Sequence, residues 1–267
     1  YNCLDYIRPY VPSLSKLVES QCQSQFLYIE FILYASCLEI LKRDGTLNAV
    51  SVEVLIALRT NLSAYFQGVN SDDRERLKQE VDRCLFSSPA DAEKFLREYI
   101  EPQLACMECK SAPVNWLADD EAFNFLQNTL PLEWLEDFPD MNFSAQKELL
   151  QLAIQFGDRE KLKEIVQQYC ENLLNITPTL EDEDIKFKRN FWFAHAFYLL
   201  NENYEIFWQE LIKDVNSIFI LEEHFGSFGD YTKWIMLSPV KIELILNAFI
   251  GKWEEVYLPS SYGSDSP

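Results

Sequence analysis

Apolar side chains recur every three or four residues along almost the whole of this chain, and that spacing confines it to helices. The clearest case is SAQKELLQLAIQF, residues 144–156, which stops at Gly157. Asp158 then caps REKLKEIVQQYCENLLN, and the Gly-Asp turn between the two predicts an antiparallel αα-hairpin. A second pair of similar size follows: KFKRNFWFAHAFYLL, a short NEN turn, and YEIFWQELIKDVNSIFILEEHF. No run of β-branched residues alternates strictly between turn signals, and most of the seven glycines fall where helices should end. The expected fold class is therefore all-α, with αα-hairpins stacked in a helical-repeat-like or irregular bundle.

Toward the N-terminus the same reading predicts a long helix from Ser13 or Ser15 to Gly45, a second over 51–68 and a third opening at Ser71. A fourth has Ser88 at the N-cap and Pro89 in the first helical position, with Pro102 set to kink or end it. A helix is expected over 119–129, then a turn of helix over 132–137 bracketed by Pro131 and Pro139. Ser238-Pro239 should open the last helix. Three segments follow: a helical subdomain over 1–112, an acidic linker-helix with αα-hairpins over 113–260, and a disordered tail over 261–267; the first two form one continuous domain if no break occurs near 112. The apolar run FLYIEFILYASCLEIL, residues 26–41, is too short to span a bilayer and is interrupted by Glu30 and Glu39; it reads as a helix buried on most of its sides.

The 267 residues carry a formal net charge of −20. That argues against nucleic acid, whose phosphates must be neutralised by Lys and Arg, and against an anionic membrane surface. The charge is uneven: residues 111–184 hold 16 acidic and 4 basic side chains, and no basic residue lies between Lys110 and Lys147. The seven cysteines, at 3, 22, 37, 84, 106, 109 and 170, are odd in number and several lie in apolar helical patterns. Free cysteines of this kind suit a reducing, cytoplasmic compartment, and no signal-peptide pattern opens the sequence.

No catalytic constellation is legible. His195, in an aromatic helix, reads as a packed residue, and His224 lacks the Glu three positions before it that a di-iron bundle needs. Cys106 and Cys109 form a single CxxC with no second pair for zinc. The aspartate-rich magnesium motif of terpene synthases fails at both Asp72-Asp73 and Asp119-Asp120, since neither has a carboxylate four residues beyond the first Asp. Its downstream triad fails too, with Ile218 at the hydroxyl position. Gly226 and Gly229 alone make no phosphate loop. The nine aromatics of residues 187–208 read as core. The expectation is a non-enzymatic protein without metal or cofactor.

The lead to function is WLADDEAFNFLQNTLPLEWLEDFPDMNF, residues 116–143, with seven carboxylates and no Lys or Arg. Asp119, Asp120, Glu121, Glu133, Glu136, Asp137 and Asp140 would steer a basic protein partner. Trp116, Trp134, Phe138 and Phe143 would anchor it, since a few aromatics carry most interface energy. The run Glu181, Asp182, Glu183, Asp184 would extend that surface.

Over residues 144–260 the chain resembles the all-α immunity proteins of bacterial polymorphic-toxin systems. The resemblance rests on LLQLAIQFGDREKLKEIV, then FWFAHAFYLLNENYEIFWQELI, then LILNAFIGKWEEVYLP. It implies a toxin-neutralising protein that acts by occlusion, presenting carboxylates to a basic toxin surface. The alternative is a helical-repeat scaffold or regulatory subunit of a larger assembly.

Overall fold

Ser13, Asn70, Ser88, Asn142 and Ser238 each accept, through a short polar side chain, from a first-turn N–H of the helix that follows. A computed structural model describes residues 10–25, 27–62, 70–176, 183–213 and 237–250, and among these every regular element is helical. Contacts divide the chain into two compact units, Tyr1–Asp158 and Arg159–Pro267. Each is described by itself.

In the first unit, α1 (Leu14–Cys22) is capped by Ser13, whose side chain accepts from Lys16 N. The expected long helix over 13–44 breaks after Cys22. Ser24 takes a positive φ of 53°, Gln25 N donates back to Ser20 O at 2.8 Å, and α2 (Ile29–Asp44) starts afresh. The polar run SQCQSQ offers no apolar stripe to hold a continuous helix against a core. Helix α2 ends at Gly45, whose φ of +74° any other side chain would strain. It buries one stripe, Leu33, Cys37, Ile40 and Leu41, while Phe31 and Ile32 stay exposed, so it is not buried on most of its sides.

Next come α3 (Val52–Asn61) and α4 (Ser71–Leu85). Helix α4 opens at Ser71, as expected, and Asn70 caps it by accepting from Asp72 N. The loop between α2 and α3 is fastened to α4 by Glu80, which accepts from Leu47 N and Thr46 Oγ1, both at 2.8 Å. With Arg83 alongside, that carboxyl is pulled down to about 2. Helix α5 (Pro89–Leu104) starts with a full capping box: Ser88 and Asp91 each accept from the other's backbone N–H. Pro102 sits in its last turn, and the helix ends two residues later. Helix α3 packs against α1, α2 and α4, and α5 packs on α1. Val54, Leu55 and Leu58 of α3, Leu33 and Cys37 of α2 and Leu77 of α4 are all buried in this core.

The expected helix over 119–129 does not form. Instead a single turn, α6 (Trp116–Asp119), leads to extended backbone at Asp120 and a 3-10 turn over Asn124–Leu126. Then follow α7 (Leu130–Asp137), with Pro131 inside its first turn, and α8 (Phe143–Phe156), capped by Asn142 rather than Ser144. Gly157 ends α8. A Cβ there would lie 2.7 Å from Ala153 O, a backbone atom of α8 itself, and 3.1 Å from Leu132 Cδ1 of α7, so glycine is favoured where the helix ends.

The division between units falls after Asp158, not at 112. Residues 113–157 stay with the first unit because their aromatics complete its core. Trp116 stacks on Tyr99 at 5.4 Å, and Phe123 meets Phe86 at 5.8 Å and Phe95 at 6.3 Å.

The second unit holds α9 (Arg159–Leu174), α10 (Glu183–Leu199), α11 (Tyr204–Leu211) and α12 (Pro239–Phe249). Helix α10 packs between α9 and α11. Tyr169 of α9 stacks on Trp192 at 4.1 Å, and Trp208 of α11 stacks on Phe197 at 4.3 Å. Asn203, in the left-handed region at φ 62°, turns α10 into α11, so the NEN hairpin forms as expected. Ser238 caps α12 with Pro239 at its start. From α12, Lys241 Nζ donates to Leu200 O at 2.7 Å and lies over the Tyr204 ring at 4.5 Å. The expected disordered tail, His224 and the segment Asp214–Glu222 lie outside the described residues. No described helix is long and apolar enough to cross a membrane.

One buried group sets a pH dependence. Glu30, in the first turn of α2, is 6% exposed, and among the described residues its Oε2 finds no hydrogen-bond partner. Burial pushes its carboxyl up to about 7, against an opposing hydrogen bond from Asn61. A raised carboxyl contributes stability that is present below its ordinary value near 4.5 and lost as pH rises through 7. Glu30→Gln is expected to remove this loss and to gain up to about 3 kcal/mol relative to wild type above neutrality. Thermal melts of both proteins between about pH 5 and pH 8 check it; parallel curves would refute the assignment.

Candidate functional site

Segment 116–143 folds around one cation. Arg59, from the buried face of α3, is 0% exposed. Its Nε lies 2.5 Å from Asp82 Oδ1 on α4, and its Nη2 lies 2.6 Å from Asp120 Oδ2. Lys78, one turn before Asp82, reaches Asp120 at 2.8 Å and Asp82 at 3.4 Å. Two cations and two carboxylates thus balance inside the unit. Among the described residues Arg59 Nη1 has no hydrogen-bond partner, but the guanidinium lies over the Trp116 and Phe123 rings, 5.4 and 5.1 Å from their centroids. Burial opposes ionisation of Asp120, yet Arg59 and Lys78 outweigh it and hold that carboxyl below its usual range. At Asp82 burial wins and the carboxyl rises.

The Asp120 contacts explain why no long helix forms here. Its Oδ1 also accepts from Ala122 N at 3.1 Å, which bends the chain. The Asn124 amide nitrogen, oriented to donate, lies 2.9 Å from Asp120 O and 3.1 Å from Leu117 O, closing the end of α6.

A second cation holds α7. Arg97 of α5 donates to Glu93 at 2.8 Å, to Glu101 at 2.9 Å and to Glu133 at 2.7 Å. Trp134 Nε1 donates to the same Glu101 at 3.0 Å, and its ring is 0% exposed.

These placements correct part of the expected partner surface. Trp116, Trp134 and Asp120 are core residues: their ring and charge partners lie inside the unit, so they cannot anchor a docking protein. Phe138 and Phe143 are half-buried, and Lys147 lies over the Phe143 ring at 5.4 Å. Asp119, Glu121, Glu136, Asp137 and Asp140 are exposed, as expected. Asp119 accepts from Asn115 at 2.9 Å; among the described residues Asp119, Glu121, Asp137 and Asp140 form no salt bridge. The exposed aromatic of the segment is Phe125, 47% exposed, which sequence reading missed. The signal was faint: in FNF only one of two phenylalanines can face a core at that spacing. Glu183 opens α10 and Asp184 is exposed there, in the second unit, while Glu181 and Asp182 lie outside the described residues.

Beside this segment the first unit holds a groove of about 900 Å³. One wall is a face of α8 bearing Ser144, Glu148, Gln151 and Gln155. The other is formed by Lys110, Asn115 and Asp119, with Trp116 and Leu152 also lining it. The end of α3 contributes Thr60 and Asn61. Burial raises the Glu148 carboxyl; Lys147 opposes this and Asp119 adds to it.

The other sequence candidates lie among their own helices and turns and do not line this groove. His195 Nδ1 lies 2.9 Å from Phe191 O in a buried, aromatic setting. Cys106 and Cys109 close a turn after α5, with Cys109 N donating to Cys106 O at 3.0 Å. Cys22 from α1 comes against both thiols, and burial plus those contacts pushes it up to about 12. Among the described residues no cluster of His, Cys, Asp or Glu could hold a metal ion.

Compared with family models, with curated proteins and with solved structures, the chain matches none.

Asp120→Asn should cost about 3 kcal/mol, because it leaves Arg59 and Lys78 short of one buried counter-charge. Asp137→Asn, exposed at the C-terminal end of α7, should stay within about 0.5 kcal/mol of wild type. Urea midpoints of the two variants make the comparison; equal midpoints would mean that the cluster does not hold the segment.

Proposed function

We propose that the protein is a non-enzymatic binding protein that occludes a basic protein partner. The observation that carries this reading is the division of labour in segment 116–143. Trp116, Phe123, Trp134 and two of its carboxylates are consumed internally, while Asp119, Glu121, Asp137 and Asp140 remain exposed and form no salt bridge among the described residues. Unbalanced exposed charge brings no stability to the fold, since carboxylates of like sign repel. It does raise the encounter rate with a cationic surface and discriminates against acidic ones. In its most concrete form the reading is a toxin-neutralising immunity protein that shields a basic toxin surface. Among the described residues six cysteines are free thiols, three of them buried, which supports a reducing, cytoplasmic setting.

The test is affinity capture from extracts of the native host at low and high salt, with mass spectrometry of the bound fraction. The matched control is Glu121→Lys, Glu136→Lys, Asp137→Lys and Asp140→Lys together. Glu133 is left intact because reversing it would set a cation against Arg97. One basic protein is expected, captured by wild type and lost at high salt. The variant should slow its association ~10- to 100-fold. Several subunits, held equally by wild type and variant, would instead favour a scaffold within a larger assembly.

A further inference from the structure

The groove of the first unit has a chemistry that an exposed acidic patch lacks. From Ser144 to Gln155 its α8 wall spans twelve residues, or about 16 Å at 1.5 Å for each step between them. That is the reach of about five residues of extended chain. Along this wall Glu148, Gln151 and Gln155 follow one another at helical spacing, and all three are exposed. The two glutamine amides make no hydrogen bond among the described residues. Each carries a donor and an acceptor side by side, as a peptide unit does. Asp119 lies on the opposing wall, close enough to Glu148 for its charge to be felt there. Among the described residues Lys110 is the one cation lining the groove. A small apolar ligand is a poor match, because such sites converge a few polar groups within an apolar cavity, whereas here polar groups are spread along both walls.

We propose that this groove seats an extended, Lys- or Arg-bearing segment of a protein, with Asp119 and Glu148 flanking its cationic side chain and Gln151 and Gln155 bonding its backbone. The inference rests on the reading of a basic partner and states how one part of it is gripped. A cation between the two carboxylates relieves their mutual repulsion. Pro113 and Ala118, both partly exposed, line the groove beside Asp119 and offer its aliphatic stem apolar contact.

The probe is a fluorescein-labelled peptide, Ala-Lys-Ala-Arg-Ala-Lys-Ala, titrated with the whole protein and followed by fluorescence polarisation. Saturable binding to wild type is expected. Asp119→Asn with Glu148→Gln should weaken it ~10-fold. Gln151→Ala with Gln155→Ala should weaken it ~3-fold or more, although this pair changes no charge. Glu75→Gln, an exposed carboxylate of α4 away from the groove, should leave affinity unchanged. If the glutamine pair binds as wild type does, or Glu75→Gln weakens binding as much as the groove carboxylates do, the peptide is held by diffuse charge and the inference is overturned. The two readings fail differently. Partner capture that survives while the peptide ignores the groove variants sinks the groove alone. Peptide binding through the groove with no basic partner captured sinks the proposed function.

Discussion

The first unit depends on the burial of Arg59. A guanidinium removed from water is costly unless counter-charges reach it, and the chain supplies them from two places far apart in sequence, Asp82 and Asp120. Because Asp82 lies on α4, that helix must pack with its Lys78–Asp82 face toward α3. Because Asp120 follows α6, the chain must return to the same point after α5 has ended. Trp116 and Phe123 arrive with it and cover the guanidinium. The position of the acidic segment is thus a consequence of satisfying one cation.

Once Asp120 is committed there, its neighbours sort themselves. Trp134 is drawn in by Glu101 and Glu133 by Arg97, which fixes α7 against α5. The carboxylates on the other side of these turns face solvent. The same packing sets α8 along the groove: Gly157 lets the end of α8 close on Leu132 of α7, and the face bearing Glu148 and Gln151 is left open. Core and candidate site are therefore two sides of one arrangement.

The second unit is held by a different means. Helix α10 presents Trp192, Phe193, Ala194, Ala196 and Phe197 to its surroundings, all nearly free of solvent contact. Such a helix, apolar on every side near its middle, has to be covered on more than one face, and α9, α11 and α12 do this. Ring stacking at 4.1 and 4.3 Å gives the packing a defined register that aliphatic contacts alone would leave looser. Lys241 stays buried because Leu200 O and the Tyr204 ring replace its water.

By itself the sequence determined the helices and most of their ends. Gly45, the Ser88-Pro89 cap, Gly157, the NEN turn and Ser238-Pro239 act through neighbouring backbone, so local chemistry is sufficient to read them. It also made plain the acidic stretch between Lys110 and Lys147. What it could not show is which of those acids are neutralised. Asp119, Asp120 and Glu121 are alike as a string; only Asp120 meets Arg59, a residue 61 positions away. For the same reason Trp116 and Trp134 read as possible anchors until Arg59, Tyr99 and Glu101 claimed them, and Phe125 passed unnoticed. The break after Cys22 and the loss of the helix over 119–129 likewise follow from where the core lies. Tertiary structure alone decided these points, because a side chain's exposure depends on partners that chain order does not bring near.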